Sequence, residues 1–273
     1  MSFRIGRHHL FGIAAFFATL LALAFLLLPL VALFTSTDPA TFIDSLGRPA
    51  NREALWLSLK ATAMAMLILL VIGTPAAYFL AMRSFRGRSA VLTLIELPLV
   101  MPPTVAGIAL LAAFGPAGVL GPTLENLGVE LVFQTAGVVV ALVFVASPFY
   151  LRQAVASFGA IDRGLIETSR ALGSGSFRTF LRVAVPVARP GLATGAALAW
   201  ARALGEFGAT LLFAGSLVAV TETAPLAIFA RFSDPNGFEQ AIALSVVLIC
   251  VSAALLIAVK VTGRDRVVPG RGL

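Results

Sequence analysis

The sequence predicts an all-α integral membrane protein, a bundle of six transmembrane helices with both termini on the inner side. Three observations predict it. Of the 273 residues, 59% are hydrophobic and only 12% charged, with a mean hydropathy of +0.98, a balance that no water-exposed globular surface carries. The apolar residues gather into runs at about 10–34, 54–82, 90–114, 131–151, 190–215 and 239–261. Each is long enough to cross ~30 Å of hydrocarbon as a helix, which takes ~20 residues, and none alternates as a barrel strand would. Third, the basic residues follow topology rather than forming a nucleic-acid patch, despite the net charge of +7. Fifteen fall in alternate segments: Arg4, Arg7, Arg83, Arg86, Arg88, Arg152, Arg163, Arg170, Arg178, Arg182, Arg189, Lys260, Arg264, Arg266 and Arg271. The other segments hold three, Arg48, Arg52 and Arg231, beside eight acidic residues, Asp38, Asp44, Glu53, Glu125, Glu130, Glu222, Asp234 and Glu239. Positive charge stays inside, so both ends are expected there.

The first run follows Arg4, Arg7, His8 and His9, a basic inner flank. At about 25 residues it exceeds the ~7–15 of a signal-peptide core, so it is read as a retained helix. An outer segment at about 35–53 leads to the second run, where Lys60 sits near the outer start and can snorkel. Pro75 introduces a weak kink. A tight inner connection at 83–89 precedes the third run, with Glu96 near its inner start as an interfacial residue.

Pro98, Pro102 and Pro103 lie in that third run, and Thr104 follows them. Consecutive prolines remove two backbone donors at mid-membrane depth, and the freed carbonyls need protein or water as partners. The run is expected to be a kinked helix that either packs inside the bundle or lines a pathway. The fourth run carries Pro148, which is expected to make a weak kink as Pro75 does. After it, 152–189 is the largest extramembrane segment and the one expected to hold a helix of its own.

The fifth run is rich in small residues. Gly191 and Gly195 form a GxxxG pair that Ala199 and Ala203 continue at four-residue steps, a ridge that lets helices approach closely. Glu206 is its sharpest oddity, since an intramembrane carboxylate costs ~2.5–3.5 kcal/mol near the centre. Arg202, one turn earlier, can pair with it. Gly205, Phe207 and Gly208 flank it and suit close packing. A structural ion pair is the favoured reading, with a proton carrier as the alternative. The sixth run contains Cys250, the one cysteine, so no disulfide forms within the chain.

No phosphate loop, zinc-protease pair or nucleophile elbow occurs, and Gly173 to Ser176 reads as a turn, so the chain is not expected to hydrolyse ATP or act as an enzyme. In the long inner loop, Asp162 is a plausible N-cap and Gly173 a C-cap for a helix of about two turns. Leu165, Ile166, Ser169 and Leu172 make an apolar stripe, suited either to a groove in a partner or to lipid headgroups.

The same loop resembles the membrane permeases of binding-protein-dependent ABC importers. Their signature is Glu-Ala-Ala, three residues, Gly, nine residues, a branched apolar residue, one residue, then Leu-Pro. Glu167, Gly173, Val183 and Pro186 stand at those spacings, with Thr168, Ser169 and Val185 departing from it. A narrower resemblance, to molybdate and sulfate transport permeases, comes from Ala201-Arg-Ala-Leu-Gly-Glu-Phe-Gly-Ala-Thr210, from Glu96-Leu-Pro-Leu-Val-Met-Pro-Pro-Thr-Val-Ala-Gly107, and from Thr221-Glu-Thr-Ala-Pro-Leu-Ala-Ile228, which leans towards molybdate.

The resemblance implies one permease domain over 1–273 with the type I importer fold, in the inner or plasma membrane. Two copies would form the pathway, two cytoplasmic ATPase subunits would dock, and an external oxyanion-binding protein would deliver the anion. Leu165, Ile166, Glu167, Ser169, Arg170, Ala171, Leu172, Gly173 and Pro186 would couple to the ATPase. Pro102, Pro103, Thr104, Arg202, Gly205, Glu206, Phe207 and Gly208 would lie along or brace the pathway. No cofactor is expected in this chain, ATP and magnesium belonging to the partner. Molybdate is the expected cargo, with tungstate, sulfate or thiosulfate as alternatives; an ion-coupled secondary transporter using Glu206 is the competing class.

Overall fold

The computed structural model describes residues 5–36 and 38–264, and side-chain surroundings over 11–36 and 38–258. Arg4, Arg266 and Arg271, and the side chains of Arg7, His8, His9, Lys260 and Arg264, lie outside the described residues. Among those residues the chain is helical and forms no strand.

Helix α1 runs Ile5–Thr35; no residue of its span Phe11–Thr35 is buried, as an uncharged apolar helix can be only in lipid or against a partner. The segment expected as a loop at 35–53 instead folds α2, Pro39–Gly47. Its N-terminus is capped by Asp38, which accepts the Thr41 N–H at 3.2 Å. Helix α3, Pro49–Ile68, starts ahead of the expected 54 because Pro49 suits a first turn and Asn51 is buried, donating to Ser45 O at 2.9 Å.

A π-helical turn, Leu69–Gly73, joins α3 to α4, Thr74–Met82. Pro75 explains it: in an unbroken α-helix its ring would strike the carbonyl four residues back, and the wider π turn lies there.

The third run is where expectation and structure part most sharply. Helices α5, Arg88–Val100, and α6, Pro103–Phe114, meet at 119°, a broken span and not a kinked helix. Met101 and Pro102 are extended, with ψ of 130° and 140°, as residues before or at proline prefer. Pro103 then begins α6, where its missing N–H does no harm.

After short α7, Gly121–Asn126, helix α8 covers Thr135–Gly159. It begins later and ends later than the expected 131–151. Val138, Leu142, Ala146, Tyr150, Ala154 and Phe158 recur every four residues, and all are buried, making α8 the core ridge. Helices α9, Arg163–Ala171, and α10, Ser176–Thr179, follow. A second π turn, Phe180–Ala184, precedes Pro186 just as the first precedes Pro75.

Helix α11 spans Val185–Leu204 and stops; α12 is Gly208–Ala214. The expected helix 190–215 thus starts earlier and breaks at 205–207. Helices α13, Ala224–Phe232, and α14, Phe238–Arg264, complete the chain. The GxxxG face of α11 packs on α8: a Cβ at Gly191 would fall on the Ser157 side chain, and one at Gly195 would lie 3.0 Å from Gln153 Cβ.

Among the described residues, four helices are long and apolar enough to span a membrane, or five counting α5 with α6 as one broken span. The sixth expected span, in the fifth apolar run, falls short by length and composition, because Arg189, Arg202 and the prolines dilute α11 and the break shortens it.

Candidate functional site

The loop between α8 and α11 presents α9 as a rigid element. Asp162 Oδ1 accepts the Gly164 N–H at 2.9 Å. At the other end Gly173 takes φ +82°, its N–H bonding Arg170 O at 2.9 Å while Ser174 N–H bonds Ser169 O at 3.1 Å. This is a Schellman closure, which needs a left-handed residue and so favours glycine. Both caps match the sequence reading.

Two turns would not persist in water unaided. Ile166 anchors α9, 5% exposed and in the same core cluster as Phe158 and Ile161. The hydroxyls of Ser169 and Thr179, 3.0 Å apart, tie α9 to α10. The expected four-residue stripe is therefore divided: Ile166 and Ser169 fasten the helix to its own protein, while Leu165 and Leu172 remain exposed, Leu172 at 81%. Glu167, Arg170, Ala171 and Pro186 are exposed too. Phe177, 75% exposed, joins the display. It is not among the residues expected above, although an aromatic amid the small polar residues 174–176 and Arg178 is a usable signal.

Behind the display, Phe180 stacks on Tyr78 at 5.0 Å and Phe158 at 6.2 Å, and those two rings meet edge to face at 5.3 Å. The loop is thereby seated on α4 and α8.

A separate region gathers the two helix breaks. Glu206 lies between α11 and α12, not inside a helix as expected. It is 1% exposed, its Oε1 accepts the Ala209 N–H at 2.8 Å, and Oε2 pairs with Arg202 at 2.5 Å. One oxygen thus caps α12 and the other meets a cation, which offsets the desolvation of the carboxylate. Gly208 sits against Pro103, where a Cβ would come within 2.8 Å of the ring, and Gly107 sits against Ala209 and Leu212. Helices α6 and α12 therefore run parallel in close contact, with Pro103 and Thr104 beside Gly208. Gly205, in contrast, makes no close approach to another element.

Phe207 stacks on Phe229 at 5.0 Å and lines an apolar cleft of about 410 Å³ with Gly205, Pro225, Phe232 and Ser245. No basic side chain lines it, so it is unsuited to holding an anion tightly. Lys60 is exposed as expected. Glu96 stands 3.6 Å from Arg152, both partly exposed, a weak pair. Among the described residues no grouping of His, Cys, Asp and Glu suits a metal ion.

In the loop between α12 and α13, Glu222 is 4% exposed and one carboxylate oxygen lacks a partner. Burial pushes its carboxyl above the usual range, and the Arg231 charge partly opposes this.

Comparison with known proteins places these features in context. Residues 70–264 match the family described as "Binding-protein-dependent transport system inner membrane component". The chain is 34% identical over 256 residues to the "Probable transport system permease protein NifC" of Clostridium pasteurianum, covering 93% of this chain and 89% of that one. It is 40% identical over 241 residues to the "Molybdenum transport system permease protein ModB" of Mycobacterium tuberculosis, covering 87% and 89%. A crystal structure of a bacterial ABC transporter involved in alginate import contains a chain similar in fold, with TM-score 0.78 at 16% identity, over 95% of this chain and 96% of that one.

Proposed function

From the premise that this chain belongs to the binding-protein-dependent transport system inner membrane components, we propose that it is the membrane subunit of a molybdate importer. It is a multi-pass permease of the type I importer fold. The observation that carries the cargo is its similarity, over most of its length, to a permease named for molybdenum.

Two copies enclose the pathway, since each chain offers one α9 display and a pair of ATPases needs two. The arginine bias supports an orientation with α9 and both termini in the cytoplasm. ATP and magnesium are handled by the ATPase, and this chain performs no hydrolysis. Closure of the ATPase pair moves α9, which is fastened to the bundle through Ile166 and the Ser169–Thr179 hydroxyl pair. The bundle then rocks between inward-open and outward-open forms. Glu206, already engaged by Arg202 and the α12 N-terminus, braces the break and does not contact the anion; a free carboxylate there would repel a dianion. Weak binding along the pathway favours release, and selection belongs to an external binding protein.

The test is uptake of labelled molybdate into vesicles holding this chain with its ATPase and binding protein. Uptake is expected only with ATP inside, with little inhibition by excess sulfate. Uptake without ATP would overturn the importer reading, and strong sulfate inhibition would overturn the choice of molybdate.

A further inference from the structure

The segment following α9, among the nine residues that the signature leaves unspecified between Gly173 and Val183, carries a further feature. Helix α10 is a single turn, too short to persist alone, yet it is held from two sides. Thr179, fully buried, bonds Ser169 on α9, and Phe180 is packed among Tyr78 and Phe158. Phe177 on this tethered turn nevertheless stands 75% exposed, as Leu172 stands at 81%. Aromatic side chains, Phe among them, are enriched at the cores of protein interfaces.

The surroundings indicate what covers them. Lipid-facing stretches of this chain, such as Phe11–Thr35, are long and uncharged. Phe177 and Leu172 share the short 163–182 segment with Arg163, Arg170, Arg178 and Arg182, all exposed, and with two further exposed leucines, Leu165 and Leu181. The nearby acids are Glu167, exposed, and Asp162, whose carboxylate is engaged in capping α9. Apolar knobs on a segment with an excess of exposed arginines complement a protein groove with an apolar floor and acidic edges.

We infer that Phe177 is a second anchor for the ATPase subunit, entering an acid-rimmed groove beside the one that takes Leu165 and Leu172. This rests on the importer reading above and adds the residue and the groove's chemistry. The tethering of α10 to α9 makes the two contacts move as one body.

The test uses the full permease in nanodiscs and its own ATPase subunit. Phe177→Ala is expected to weaken ATPase binding about tenfold or more, as loss of a buried aromatic anchor does, without lowering the permease Tm. Binding by the unaltered chain is expected to weaken as salt rises. In a Cys250→Ser background, Phe177→Cys is expected to react readily with a water-soluble maleimide and to be protected about tenfold when the ATPase is added.

Unchanged affinity of Phe177→Ala together with unprotected labelling would overturn the anchor and leave the importer reading standing. Labelling already blocked by nanodisc lipid before the ATPase is added would overturn it in favour of a membrane contact. Failure of the unaltered chain to bind the ATPase at all would overturn both readings.

Discussion

Arg202 and Glu206 form an ion pair 2.5 Å apart across the end of α11, with Glu206 buried and Arg202 part exposed. The carboxylate also caps α12 through Ala209 N–H, so the pair governs how the two helices are set relative to one another. Glu206→Gln retains a carbonyl for the cap and loses the charge opposite Arg202. Because Arg202 reaches solvent, the cost is expected at about 1–3 kcal/mol, below the ~3–5 of a fully buried broken pair. A lower Tm in nanodiscs with an unchanged order of anion competition checks this; an altered anion order would contradict the bracing role.

The contact of α6 with α12 leaves no room for a side chain. A Cβ at Gly107 would lie 2.8 Å from Leu212 Cβ and 3.0 Å from Ala209 O. Gly107→Val is expected to destabilise by about 1–3 kcal/mol, the usual cost of overpacking, measurable as a fall in Tm. Gly12→Val, on an exposed face where a Cβ meets nothing within 4 Å, is the matched control and should leave Tm nearly unchanged.

Thr74 and Tyr150 share a buried hydroxyl contact of 2.6 Å between α4 and α8. Thr74 also donates to Leu70 O at 2.5 Å, so Thr74→Val strands the Tyr150 hydroxyl and is expected to cost about 1–3 kcal/mol, whereas Tyr150→Phe leaves Thr74 bonded and is expected to cost about 0.5–1.5 kcal/mol. The double variant should cost less than the sum, and a double-mutant cycle on thermal stability measures the difference.

Gly173→Pro combines two faults. Proline cannot adopt φ +82°, and it lacks the N–H that bonds Arg170 O. The variant is expected to reach the membrane but lose most ATPase co-purification, whereas Gly173→Asn, tolerant of left-handed backbone, retains most of it. Equal co-purification of both with the unaltered chain would remove α9 from the docking role.

Glu222 yields a pH dependence. Its folded-state carboxyl titrates above the ordinary value of 4.5. The buried group is thus favourable while protonated, below that value, and its contribution is lost as pH rises through the folded pKa. Glu222→Gln is expected to be more stable than the unaltered chain at pH 7–8, with the difference shrinking towards pH 4.5. Thermal melts across that range check the sign.

Much of the site was legible because its signals are local. Asp162 and Gly173 mark the ends of α9 through backbone needs that only certain residues meet. Gly191 and Gly195 announce a close packing that α8 provides. The reach of each apolar run was less legible, since polar residues such as Asn51 at the start of α3 are buried by partners distant in sequence, among them Arg231, 3.4 Å away.

By itself the sequence determined the membrane class, the disturbances at Pro75 and at Pro102 and Pro103, the helical loop and the family signature, because charge, hydropathy and backbone restriction act within a few residues. Only the tertiary structure decided what became of each disturbance. Pro75 and Pro186 are absorbed by π turns, whereas Pro102 and Pro103 open a 119° break whose α6 arm lies against α12. It also decided that Ile166 faces inward while Leu172 and Phe177 face out. A two-turn helix offers apolar residues on more than one side, and which side is buried depends on Phe158, Thr179 and other groups that the fold alone brings near.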